Sequence, residues 1–144
     1  MNGYGFNPHT GELYSNTSYR FEQIKIEIEE MASACKKPDN DHIGYEFYVK
    51  FDSDNRYRFI RKYNNIENMN FIGSVYDLER CDFDDGIVYQ TMPEYILKVR
   101  NKEYVKTQSI QSLFICPIFQ SYERSIIIKL KSLFEELIKL TKYQ

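Results

Sequence analysis

The chain has no tryptophan, only two histidines and three cysteines, and no apolar run long enough to cross a bilayer. Each shortage removes a class of function. The longest apolar stretches, 113–119 and 126–128, fall far short of the roughly 20 residues that a spanning helix needs. His9 and His42 both lie among turn-forming residues, and neither has a second ligand at the spacing a zinc site requires. Cys35, Cys81 and Cys116 are odd in number and far apart, which fits neither a disulfide framework nor a metal pattern. Their ordinary role is that of small buried hydrophobes. The six glycines stand singly, so the chain carries no glycine-rich phosphate loop. Neither sign of charge is in excess. A formal net charge of -2 argues against retention on nucleic acid by bulk charge, and equally against an acidic mimic of DNA. The opening MNGYGFNPHTGELYSN has neither a basic start nor an apolar core and does not read as a secretory signal. The sequon Asn16-Thr17-Ser18 is then a chance match, and an intracellular, cytoplasmic protein without a membrane segment is expected.

What the chain has in quantity is aromatic surface: 13 tyrosines and 10 phenylalanines among 144 residues. Tyrosine suits half-exposed sheet faces and interfaces, because it combines an apolar ring with a polar tip. The abundance of Asn, Ile, Lys and Tyr is also what AT-rich codons produce, so composition alone decides nothing. The length fits one domain that buries a core without staples.

The richest segment is 44–63, GYEFYVKFDSDNRYRFIRKY. Tyr45, Phe47, Val49 and Phe51 alternate with Glu46, Tyr48, Lys50 and Asp52; Tyr57, Phe59 and Tyr63 alternate with Arg56, Arg58, Ile60 and Lys62. A period of two is that of a half-buried strand, so a β-hairpin with one aromatic and one charged face is predicted. Setting Tyr57 against Phe51 places Val49 opposite Phe59 and Tyr45 opposite Tyr63. On the charged face Glu46 meets Lys62 and Asp52 meets Arg56, both favourable, while Lys50 meets Arg58, which is unfavourable without an anion nearby.

Around this hairpin, residues 1–16 read as an exposed lead-in, with a turn at Asn7-Pro8-His9-Thr10-Gly11, followed by a single α+β domain over 17–144. Residues 18–36 are predicted helical from Phe21, Ile24, Ile28, Met31 and Cys35, although Ile24, Ile26 and Ile28 also alternate as in a strand. Thr17 or Ser18 would cap its start, and Lys36, Lys37 and Pro38 mark its end. Residues 64–69 read as a loop, 70–76 as a strand, 77–86 (DLERCDFDDG) as an acidic connection and 87–90 as a short strand. A second hairpin spans 95–107, and 112–119 reads as a buried segment in which Pro117 opposes helix. The final segment places Ile127, Leu130, Phe134, Leu137 and Ile138 on one stripe, widened by Ile126 and Leu133, as an amphipathic helix of about six turns. The expected fold is therefore an N-terminal helix, an antiparallel sheet of about four to six strands and a C-terminal helix packed on that sheet.

No complete catalytic motif is present, and no cofactor is expected. Asp82, Asp84, Asp85 and Gly86 resemble part of a calcium loop, but with Gly86 at the sixth position Cys81 and Phe83 occupy ligand positions. A Cys81–His42 nucleophilic pair would have to be assembled by the fold. The expected role is a small protein-binding module of inhibitor, immunity or accessory type from a microbial or phage system, acting by stoichiometric binding as a monomer or homodimer. Its candidate partner-binding residues are Arg56, Tyr57, Arg58, Arg61, Lys62 and Tyr63 on the hairpin, and Asp77, Glu79, Asp82, Asp84 and Asp85 in the acidic connection. The alternatives are nucleic-acid binding through 56–63, where arginines would hold phosphates and rings would stack on bases, and a secretion-type chaperone, suggested by element order. Alternation places rings and most cations on opposite faces, which weakens the nucleic-acid alternative.

Overall fold

Among the described residues two helices, α1 (Glu12–Ala34) and α2 (Arg124–Leu140), bracket six strands: β1 (Glu46–Phe51), β2 (Arg56–Tyr63), β3 (Ile66–Ser74), β4 (Cys81–Tyr89), β5 (Pro93–Asn101) and β6 (Ile118–Ser121). The computed structural model describes residues 12–35, 46–63, 66–89, 93–101 and 117–143. Among the described residues every strand pairing is antiparallel, and the strands fall into two sheets, ordered β1-β2-β3 and β4-β5-β6, rather than one. The α+β order expected from sequence is the order observed.

In α1 the helical period prevails over alternation. Phe21, Ile24, Ile28 and Ala32 are buried, whereas Ile26, which a strand would place beside Ile24 and Ile28, is 57% exposed. The helix is already formed at Glu12, ahead of the predicted start at 18, and no glycine or proline between 12 and 18 interrupts it. Thr17 and Ser18 consequently lie inside the helix and do not cap it. Lys36, Lys37 and Pro38 fall outside the described residues.

The first hairpin has the predicted register: Phe51 pairs with Tyr57, Val49 with Phe59, Lys50 with Arg58 and Glu46 with Lys62. Tyr45 is outside the described residues. Asp52 closes the turn. Its backbone N–H donates to the Arg56 carbonyl at 3.0 Å, and its Oδ1 accepts from the N–H groups of Asp54 (2.9 Å) and Arg56 (3.0 Å). Asn55 takes the left-handed conformation at φ 56°, which asparagine tolerates better than bulkier side chains.

β3 begins at Ile66, inside the predicted loop, because the long β2 continues to offer pairing partners. A bulge beside Phe59/Ile60 absorbs the extra residue. Val75 and Tyr76 then leave the sheet in a 3-10 turn, Val75–Arg80, where the Ser74 Oγ accepts the Tyr76 N–H. The predicted acidic connection is not a loop. Asp77 and Glu79 lie in this turn, and Asp82, Asp84 and Asp85 belong to β4, since Cys81 and Phe83 alternate inward between them. β5 pairs with β4 on one side and β6 on the other; residues 104–107 of the predicted second hairpin and 112–116 of the predicted buried segment lie outside the described residues. α2 is shorter than predicted, at 17 residues followed by a 3-10 turn at Thr141–Tyr143, but its buried residues Ile127, Leu130, Leu133, Phe134 and Leu137 are those of the predicted stripe.

The core is organised on phenylalanine rings. Phe134 of α2 stacks on Phe83 of β4 with centroids 4.5 Å apart and on Phe59 of β2 at 6.1 Å, and Phe59 also meets Phe119 of β6 at 6.2 Å. One helical residue thus joins the two sheets. α1 lies against α2 and β1. The helices are clamped by Arg20, whose Nε and Nη2 donate to the two Glu136 oxygens at 2.7 Å each, while Nη1 donates to Glu27 at 2.7 Å. The paired geometry makes this a strong form of charge-assisted bond.

Two glycines separate packing necessity from mere tolerance. Gly73 lies directly opposite Tyr57, whose ring covers it so closely that a Cβ would meet the Tyr57 Oη at 2.6 Å. Tyr57 is buried at 1% exposure and has no room to yield. At Gly86 a Cβ would meet only the Ile96 side chain at 3.8 Å. Gly73→Ala is therefore expected to destabilise by about 1–3 kcal/mol through overpacking, whereas Gly86→Ala should stabilise by about 0.5 kcal/mol through reduced backbone entropy. Urea denaturation of the two variants checks both signs. Acid sensitivity provides a second expectation. Arg20 holds the Glu136 carboxyl below its ordinary range, as Lys131 does for Asp85 and the Arg56 N–H does for Asp52. Groups depressed in the folded state contribute stability above the unfolded carboxylate range near about 4 and lose it as pH falls. Unfolding free energy should be flat above about pH 5 and decline below it, and Glu136→Gln should both lower the plateau and flatten the decline, as read from denaturation midpoints across pH.

Candidate functional site

β2 distributes its cations over both faces of the first sheet. Arg56 and Arg58 are exposed and Lys62 half-buried on the outer face. Arg61 falls on the inner side by alternation, opposite Phe47, and is half-buried with a partner of its own. Tyr57 belongs to the core, where its hydroxyl and the Cys81 Sγ lie 3.8 Å apart. It is removed from the partner-binding set because alternation points its ring inward. Tyr63 closes β2, and its side chain is not among the described parts.

The outer face is completed by β1. Lys50 is exposed directly opposite Arg58. The nearest anion is Asp52, whose Oδ2 lies 3.5 Å from Arg58 Nη2. Farther along, Tyr48 donates its hydroxyl to Glu46 at 2.6 Å, which pushes its pKa up to about 12, and Lys62 Nζ lies 5.9 Å from the Tyr48 ring centroid. Tyr48 is thus the described ring that shares a face with the cations, while Tyr57 and Phe59 are buried behind it.

This face rests on a well-anchored turn. Lys25 of α1, 6% exposed, donates to Asn55 Oδ1 at 2.7 Å and to Glu22 at 3.0 Å, and lies 4.5 Å from the Phe21 ring centroid. Asn55 also accepts the Val75 N–H on its carbonyl at 2.8 Å. Glu29 accepts the Phe51 N–H at 2.7 Å. The hairpin end is therefore tied to α1 at two points and to the 3-10 turn at a third. No sequence pattern marks Lys25 or Glu29 for this role; helical periodicity identifies only their buried apolar neighbours.

The acidic candidates separate into three places. Asp77 and Glu79 are exposed on the 3-10 turn. Asp82 and Asp84 share the outer face of β4 with Arg100, whose Nη2 lies 3.9 and 3.5 Å from their carboxylates. Asp85 points the other way and accepts from Lys131 of α2 at 2.7 Å. Among the described residues no group of three or more His, Cys, Asp or Glu side chains is arranged to hold a metal ion, and no helix is long and apolar enough to cross a membrane. His9, His42 and Cys116 fall outside the described residues, so a Cys81–His42 pair does too.

A groove of about 350 Å³ opens where β4 and β5 meet the start of α2. Its walls are Ile87, Tyr95, Ile127 and Ile128, and its charged lining is Asp85 and Arg124. Sequence reading missed it, because it combines an edge strand with a helix distant in the chain.

The thiols are poor nucleophile candidates: burial pushes Cys35 up to about 12, and Cys81 is buried against the Tyr57 hydroxyl. Thiolate is the reactive form, so both should resist alkylation at pH 8 in the folded protein and react on unfolding. Peptide mass spectrometry after timed iodoacetamide exposure reads each site separately, and rapid native labelling of Cys81 would contradict this placement.

No protein family matches the chain, and neither a curated protein nor a solved structure matches it.

Proposed function

We propose that this protein is a small protein-binding module acting by stoichiometric binding, with the outer face of β1 and β2 as its docking surface for an acidic partner. The observation that supports the reading most is the exposed Lys50–Arg58 pair, set directly opposite each other with Arg56 beside it. Like charges facing across a sheet are unfavourable, and Asp52 approaches only one of the two at salt-bridge distance. An acidic partner surface relieves that repulsion. The anchored hairpin also supports the reading, since an interface already ordered before binding loses less conformational freedom. Inhibitor, immunity-type and accessory roles in a microbial or phage system all use this kind of one-to-one masking, as does a cytoplasmic chaperone for a secreted protein. Nucleic-acid binding gains less support, because stacking platforms present several rings beside their cations and Tyr48 alone among the described rings does so.

The test is affinity isolation of the tagged protein from host lysate at low salt, followed by native mass spectrometry. Wild type is compared with the double variant Arg56→Glu/Arg58→Glu. A protein of defined mass held in fixed ratio is expected, with about tenfold or greater weakening in the double variant and a circular dichroism spectrum that shows the fold retained. Partner binding indifferent to the double reversal removes the face from the interface. Nucleic acid released by salt instead would replace the protein-partner reading.

A further inference from the structure

We infer that the outer face of α1 is a second docking site, taking a basic amphipathic helix of a partner protein. Tyr19 and Ile26 stand at the centre of that face, 70% and 57% exposed, on the side of the helix away from the buried Phe21, Ile24, Ile28 and Ala32. The outer side of α2 shows the ordinary solvated arrangement. It exposes Ser125, Ser132, Glu135 and Lys139, with Ile128 as its one apolar member. A helix with large apolar residues on both sides has a second surface to cover. The spacing of Tyr19 and Ile26 selects the shape of the cover. Seven residues make two turns, about 10 Å along the axis, and this is the interval at which a second helix lying alongside meets the same face again.

Charge selects the chemistry of that helix. The exposed charges described on α1 are Glu22 and Glu30, both negative, one on each side of the line from Tyr19 to Ile26. Among the described residues Glu30 has no ion-pair partner. Both cations of the described α1 side chains are engaged elsewhere. Lys25 is 6% exposed and donates inward to Asn55 at 2.7 Å; it also meets Glu22 at 3.0 Å, yet the Glu22 side chain remains 66% exposed. Arg20 is held between Glu27 and Glu136. The face therefore offers carboxylates around an apolar pair, with no exposed cation among them. A second copy packed symmetrically would set these glutamates against their own counterparts. A basic helix instead brings lysines to Glu22 and Glu30 while its apolar residues cover Tyr19 and Ile26. The site shares no residue with the Lys50–Arg58 face, so its failure would leave that reading standing.

The probe is the blocked peptide acetyl-KKIAKALKKIAKALKK-amide, which repeats its apolar residues every seven positions, titrated into the full chain labelled with ¹⁵N. Two comparisons separate the contributions: acetyl-EEIAEALEEIAEALEE-amide reverses the charge, and acetyl-KKQAKAQKKQAKAQKK-amide keeps it without the apolar seam. The expected result is saturable displacement of the Tyr19, Ile26 and Glu30 amide signals by the first peptide, with a Kd of about 0.1–1 mM, a weak small interface. The glutamine peptide should bind about tenfold more weakly, since apolar burial is lost, and the acidic peptide should not saturate. Ile26→Gln and Glu30→Lys should each weaken the first peptide about tenfold, with circular dichroism showing the fold retained. Tyr19→Gln, at a still more exposed position, provides a second apolar variant. Absence of saturation by about 5 mM, beyond the affinity of even a weak specific contact, would overturn the inference. Equal binding of the acidic peptide, indifference to both Ile26→Gln and Glu30→Lys, or saturable shifts confined to β4 would do the same. Amide shifts on α1 that follow protein concentration without peptide would assign the face to a second copy of this chain and also reject it.

Discussion

The stacking of Phe134 between Phe83 and Phe59 is the contact on which the architecture depends. Among the described residues each sheet shows three strands, and a sheet that small needs a partner layer on its apolar face. Neither covers itself. α2 supplies the missing layer to both at once, and Phe134 is where its apolar stripe reaches the aromatic row of each sheet. Offset stacking adds roughly 0.5–1.5 kcal/mol per ring pair beyond area burial, but the larger effect is geometric. With this ring in place, Phe119, Leu97 and Val99 of the second sheet and Val49 and Phe59 of the first belong to a single core. The Arg20–Glu136 clamp then fixes α1 against α2, two residues beyond Phe134 along the same helix.

A second layer of organisation is polar and works at the hairpin end. Lys25 and Glu29 lie one turn apart on α1, and both reach the β1–β2 hairpin rather than solvent. Burying a lysine is costly unless its ammonium is fully engaged, and here carboxylate, amide oxygen and aromatic ring surround it. The outcome is a charged surface carried on a stiff support. Side-chain ordering costs about 0.5–1.5 kcal/mol for each group immobilised on binding, and a platform ordered in advance confines that cost to the outer side chains.

Legibility in the sequence followed the range of the interactions involved. The hairpin register could be read because alternation, turn chemistry and charge pairing all act within twenty residues of one another. The α2 stripe was equally plain, since helical packing repeats every three or four positions. The strand at 81–89 was hidden because its alternation is carried by Cys81 and Phe83 among aspartates, whose partners Arg100 and Lys131 arrive from elsewhere in the chain. The start of β3 was missed for a similar reason, as an asparagine-rich stretch was drawn into the sheet by the length of β2. Among the candidate site residues, alternation sets Tyr57 on the face opposite Arg56 and Arg58, so its inclusion beside them as a binding residue is corrected by its burial. The groove at Arg124 had no local signature at all, for it exists only where β4, β5 and α2 converge.

The close fit of the Tyr57 ring over Gly73 also bears on how this fold can vary. Two positions on neighbouring strands share one volume, so neither can change size alone. Chains descended from a common ancestor with this architecture should keep a small residue at 73 whenever a large ring occupies 57, and should admit a side chain at 73 only after that ring has shrunk. The Tyr57 hydroxyl also lies beside Cys81, which draws the first residue of β4 into the same dependence. A covarying trio linking β2, β3 and β4 would thus identify distant relatives even where the charged surfaces have diverged beyond recognition.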